Sequence, residues 1–125
     1  MKFLLDSNIV IAAALGTGDN VLRGRMAACD DGDLVMSAIV YAEVLHGSVR
    51  DKPPSIDRLR AFVEEVPVLE FDRAAATAYA SLGFRRASYD QLIAAHALAL
   101  DVTLVTDNER DFVEIPKLQV ENWVR

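Results

Sequence analysis

The residues just inside the amino terminus constrain the fold more than any others. Lys2 to Leu5 is a short, mostly apolar run with no alternation of polarity, and it stops at a charge, Asp6. A strand with one wet face alternates and a strand covered on both faces does not, so this run reads as a strand inside a parallel sheet. Asp6 and Ser7 carry side chains suited to capping a helix, and Ile9 to Ala14 continue it until Gly16 and Gly18 stop it. The opening unit is strand, acid, helix. In open parallel sheets the ligand crevice lies beyond the carboxyl ends of the strands, so an acid in this position is a candidate site residue.

The alternation continues along the chain. Asn20 to Cys29 reads as an amphipathic helix ended by Asp30, Asp31 and Gly32, and Leu34 to Met36 as the next buried strand. Ser37 can cap a helix from Ala38 to about Val49, which Pro53 and Pro54 separate from another opened by Ser55 and carrying Leu59, Phe62, Val63 and Val66. Val68 to Phe71 reads as a strand, and Asp72 caps an alanine-rich helix whose Ala75, Tyr79 and Leu82 face inward before Gly83. Ser88 and Gln91 have the form of a capping box starting a helix through about Leu100. Val102 to Thr106 is a further buried strand, Asp107 to Phe112 a polar turn or short helix, and Leu118 to Val120 an edge strand. The pattern predicts a three-layer α/β/α domain, residues 1–125, with a central mostly parallel sheet of four to five strands.

Charge and cysteine content narrow the function. With 13 basic and 19 acidic residues and a net charge of -6, the chain has no general basic coat for phosphate backbones. Its one cysteine, Cys29, excludes an internal disulfide and a multi-cysteine zinc site, fits a reducing compartment, and reads as a small buried residue. Asp6 and Asn8 interrupt the apolar amino-terminal run, against a signal peptide, and no stretch is apolar for long enough to span a membrane. A cytoplasmic protein is expected. A Walker loop, G-x-G-x-x-G, G-x-S-x-G and H-E-x-x-H are all absent. His96, among alanines and leucines, reads as a packed helix histidine.

Carboxylates, by contrast, gather where the crevice belongs. Asp6 ends the first strand, Asp107 follows the Val102 to Thr106 strand, Glu43 rides the helix from Ala38, and Asp90 lies in the first turn of the helix from Ser88. Asp6, Asp90 and Asp107 each have an ordinary alternative as cap, first-turn or turn residues. Glu43 does not, because Val40, Tyr41, Ala42, Val44 and Leu45 surround it in sequence and no basic group is an obvious partner. A shared cation would satisfy all of them, and hard oxygen donors select Mg²⁺ or Mn²⁺. Such an ion also supplies the missing positive charge, with Arg23, Arg25, Arg85, Arg86 and Lys52 available to guide a polynucleotide at the rim.

The segments FLLDSNIVI (3–11), SAIVYAEVLHG (37–47), YDQLIAAHALAL (89–100), LVTDNERDF (104–112) and VENWV (120–124) together resemble the PIN-domain ribonucleases, specifically the VapC-type toxins of bacterial toxin-antitoxin pairs. The resemblance implies a Mg²⁺-dependent endoribonuclease acting on structured RNA, often transfer RNA. It also implies a cognate VapB-type antitoxin that holds the toxin inactive and places a basic side chain in the acidic pocket, and a toxin that dimerises. Asp6, Glu43 and Asp90 match the family's three acids. For the fourth, where many relatives have TNN-x-REF, this chain has Thr106 to Phe112, so Asp111, Asp107 and Asn108 compete in that order. Asp6 and Asp90 would hold one or two ions, Glu43 and the fourth acid would act through water, and Ser7 and Asn8 would orient the ligands. The loop before Asp90 is shorter and more basic than in relatives. A catalytically silent PIN-like module that binds RNA or protein is the alternative reading.

Overall fold

The computed structural model describes residues 1–16, 20–83 and 88–124. Phe3–Leu5 forms β1, and Leu4 and Leu5 are fully buried, as an unalternated run requires. β1 is the middle strand of the sheet. It pairs in parallel with β2 (Leu34–Ser37) on one side and with β4 (Thr103–Val105) on the other. The short strands β3 (Val68–Leu69) and β5 (Val120–Glu121) complete the order β3-β2-β1-β4-β5, and every pairing among the described residues is parallel.

Helices fill the connections: α1 (Ser7–Leu15), α2 (Asn20–Ala27), α3 (Ala38–Ser48), α4 (Ile56–Glu65), α5 (Arg73–Ala80) and α6 (Tyr89–Leu100). Together with the sheet they form the expected three-layer α/β/α arrangement. Their amino ends follow the capping side chains in the sequence. Asp6, Ser37, Ser55, Asp72 and Ser88 each accept a hydrogen bond from a backbone N–H at the start of the following helix. Gly16 ends α1 with φ +67, a left-handed conformation that glycine adopts without strain. Leu4, Leu5, Ile9, Val10, Val40, Ile93 and Leu104 belong to one continuous core.

Several local expectations are corrected. The strand expected over Val68 to Phe71 stops at Leu69, because β3 is an edge strand paired only to Met36 and Ser37 before the chain turns toward the Asp72 cap. The last strand begins at Val120 rather than Leu118, where pairing with Leu104 and Val105 starts. Ala75 is buried, whereas Tyr79 and Leu82 are only half-buried. The Ser88 hydroxyl receives Gln91 N–H, but Gln91 Oε1 is buried with no partner among the described residues, so the reciprocal half of the capping box is unmade. Cys29 is half-buried, its thiol donating to Arg25 O at 3.3 Å.

At the carboxyl end of the chain, Trp123 is 1% exposed and stands edge-on to Phe3, with ring centroids 4.8 Å apart. Its Nε1 donates to Glu121 Oε1 at 3.0 Å. This ring anchors the segment after β5 to the central strand. Replacing Trp123 by Ala should lower the unfolding free energy by about 3–5 kcal/mol in urea titrations followed by circular dichroism. A loss below about 1 kcal/mol would show that the segment packs independently of β1.

Candidate active site

The register of the central strands decides which residues meet at the carboxyl end of the sheet. Leu5 lies beside Val105, so Asp6 and Thr106 emerge side by side, and Asp6 N donates to Val105 O at 2.9 Å. The Asp6 side chain is buried at 6% exposure. Its Oδ2 accepts from Thr106 Oγ1 and its Oδ1 from Ser7 N, each at 2.8 Å. Burial pushes its pKa up; these hydrogen bonds pull it back, and the nearby charges of Asp107 and Asp111 add to the rise. Thr106 Oγ1 also accepts from Asn108 N at 3.1 Å, so one hydroxyl orders both the acid and the turn after β4. The sequence shows Thr106 as the end of a strand and the start of the Thr106 to Phe112 segment, with no sign of its bond to Asp6. The signal for its role is its register against Asp6, a nonlocal fact.

Glu43 arrives from α3 and is half-buried, with its pKa pushed up to about 7, first by burial and then by the charges of Asp6 and Asp90. Its Oε1 is buried and has no hydrogen-bond partner among the described residues. Asp90, in the first turn of α6, is pushed up to about 6 by burial, by Asp6 and Asp111, and by a hydrogen bond shared with Asp111. Asp6 acts on both Glu43 and Asp90, and Asp90 also acts on Glu43. The remaining candidates separate by their contacts. Asp111 couples to both Asp6 and Asp90, and its Oδ2 accepts from Asn108 Nδ2 at 2.6 Å. Asp107 couples to Asp6, and its Oδ1 accepts from Asn8 Nδ2 at 3.3 Å.

Among the described residues no three of these side chains already stand as a closed metal-binding set; they form coupled neighbours around Asp6. The donors are all hard oxygens, and a buried carboxylate oxygen without a donor is an arrangement that a cation relieves. The residues therefore fit a divalent ion such as Mg²⁺ or Mn²⁺. Ser7 contributes its backbone N–H to Asp6, and Asn8 reaches Asp107 instead. Arg23 donates to Gly16 O at 2.6 Å, and Arg25 pairs with Glu121 at 3.6 Å, so both are engaged by the chain itself. Arg85 and Arg86 lie outside the described residues.

A family model for the PIN domain matches residues 3–118. The chain belongs to the PIN-domain family. Within that family it is a VapC-type member, a nuclease. It is 30% identical to the Shigella flexneri protein named tRNA(fMet)-specific endonuclease VapC over 98% of each chain, and 30% identical to Ribonuclease VapC2 of Rickettsia felis over the same share. The structure of Rickettsia felis VapBC2 bound to a promoter DNA fragment superposes with a TM-score of 0.86 at 28% identity, covering 98% of this chain and 99% of that one. VapBC-1 from nontypeable Haemophilus influenzae gives 0.80 at 29% identity over the full length of both chains.

The raised acids have a consequence for stability. A carboxyl whose folded pKa lies above its unfolded value stabilises the fold below the unfolded pKa and loses that contribution as pH rises through the folded one; for Glu43 the window runs from 4.5 to about 7. In EDTA, Glu43→Gln should therefore melt at a higher temperature than the wild type at about pH 8, with the difference shrinking toward about pH 5. A difference independent of pH in paired thermal melts would contradict a Glu43 whose charged form is disfavoured by burial and by its neighbouring acids.

Proposed function

We propose that the chain is a Mg²⁺-dependent endoribonuclease, the toxin of a toxin-antitoxin pair, and that it hydrolyses RNA phosphodiesters at the acidic site. The observation that carries this reading is the buried Glu43 Oε1, without a hydrogen-bond partner among the described residues, beside Asp6 and Asp90. Asp6 and Asp90 would hold the ion, with Glu43 and Asp111 acting through water. When bound, the ion supplies Lewis-acid polarisation of the phosphodiester and a water of lowered pKa. The chain's own residues do the rest. Thr106 and Ser7 N fix the Asp6 carboxylate, Asn108 holds Asp111, and Glu43 Oε1 is free to take a proton from the attacking water. Transfer RNA is the substrate class to test first, because the Shigella flexneri relative is named for tRNA(fMet).

The partner in this reading is a VapB-type antitoxin, in keeping with the VapBC complexes among the structural relatives. A groove of about 240 Å³ between α1, α2 and α4 has Ala12, Ala13, Leu22, Met26 and Phe62 in its lining, with Arg23 and Glu65 beside them. An antitoxin helix can lay its apolar face there. In this reading the antitoxin helix lies on the helices over Asn20 to Cys29 and Ser55 to Val66, and a basic antitoxin side chain reaches the acidic pocket.

Asp6→Asn and Asp90→Asn should each slow RNA cleavage in Mg²⁺ by at least about a hundredfold, and Asp111→Asn should cost more than Asp107→Asn. Excess EDTA should abolish cleavage, and Mg²⁺ or Mn²⁺ should restore it. Undiminished cleavage by Asp6→Asn would sink the site assignment, and activity in EDTA the metal dependence. Failure of the antitoxin-free wild type to cut any RNA in Mg²⁺ would favour the silent binding module. For the groove, Met26→Lys should weaken co-purification with the antitoxin while leaving cleavage by the free toxin intact; an undiminished complex would move the interface elsewhere.

A further inference from the structure

The helices that bring Glu43 and Asp90 to the site share a buried polar contact that the proposed chemistry does not use. His96, on α6, is 1% exposed, and its Nδ1 lies 2.8 Å from Ser37 Oγ, which is fully buried at the start of α3. Ser37 Oγ already accepts from Ile39 N at 3.1 Å. The hydroxyl can give its single hydrogen to the Nδ1 lone pair of the neutral imidazole that burial favours, the ring nitrogen then acting as acceptor. Phe71 stands edge-on to the same ring, with centroids 5.5 Å apart, and fixes its plane.

The position of this contact gives it a role. The same number of residues separates Ser37 from Glu43 as separates Asp90 from His96, about 9 Å along each helix axis. The start of α3 therefore touches the middle of α6, while Glu43 in the middle of α3 faces Asp90 at the start of α6. Val40 and Ile93 fill the core around the two helices, but apolar packing is tolerant of small slips, and a buried hydrogen bond with one good geometry is not.

We propose that the Ser37–His96 hydrogen bond is a positioning device that sets the Glu43 to Asp90 spacing, and thereby the affinity of the acidic site for its divalent cation. His96 touches neither the ion nor the RNA in this account. The proposal rests on the metal-site reading above, and the test separates the two.

The probe is Mn²⁺ titrated into the RNA-free protein and followed by electron paramagnetic resonance, with melting temperatures measured in parallel. His96→Phe keeps a ring for the core and removes the acceptor; it should weaken Mn²⁺ binding about tenfold or more. His96→Asn leaves a cavity but returns an acceptor near the Nδ1 position; it should be the less stable variant yet bind Mn²⁺ within about threefold of wild type. Ser37→Gly removes the hydroxyl while keeping a residue tolerated at a helix cap, and should reproduce the His96→Phe loss even if that variant does not fold. Wild-type affinity in His96→Phe or Ser37→Gly overturns the proposal, as does affinity that merely follows melting temperature across the variants. A wild type that takes up no Mn²⁺ overturns the reading of the acids themselves, and the link falls with it.

Discussion

Crowding carboxylates at the carboxyl end of one parallel sheet costs desolvation and like-charge repulsion, and the surrounding structure shows how the chain carries that load. Asp6 takes two hydrogen bonds that favour its charged form, from Thr106 and from Ser7 N, and these offset part of its burial. Glu43 has no such donor to its Oε1 among the described residues, and burial with the nearby acids pushes its pKa up to about 7. The site is therefore organised around one well-held acid with less settled ones beside it. On the proposed reading, a divalent cation completes that arrangement.

The supports come from different levels of the fold. Strand register sets Asp6 beside Thr106, a short turn brings Asn108 to hold Asp111, and the first turn of α6 delivers Asp90. A groove lined by α1, α2 and α4 carries Ala12, Ala13, Leu22, Met26 and Phe62 together with Arg23 and Glu65. The net charge of -6 looks unsuited to an RNA partner, yet the acids at the sheet edge account for part of it. They would attract a cation first and a phosphodiester through it.

What could be read from the sequence is what short-range chemistry dictates. The unalternated Lys2 to Leu5 run, which forms a strand over Phe3–Leu5, and the caps at Asp6, Ser37, Asp72 and Ser88 are all local, and the structure has each of them. Contacts made across strands and between helices were not legible. Thr106 gains its role from a neighbour in another strand, and the packed histidine His96 gains a hydroxyl partner from the start of another helix. The ordering of Asp111 before Asp107 came from the resemblance; the coupling of Asp111 to both Asp6 and Asp90 is what now supports it. Edge strands shortened because pairing partners, and not propensity, fix where they end.

The central claim is that Asp6, Glu43 and Asp90 form a seat for one divalent cation. The most direct measurement is an anomalous difference map from crystals of the antitoxin-free protein soaked in Mn²⁺. A peak at about 2.1 Å from carboxylate oxygens of Asp6 and Asp90, with Glu43 turned toward it, is the expected result. Ordered Mn²⁺ elsewhere on the molecule, with these acids left without density, would contradict the account.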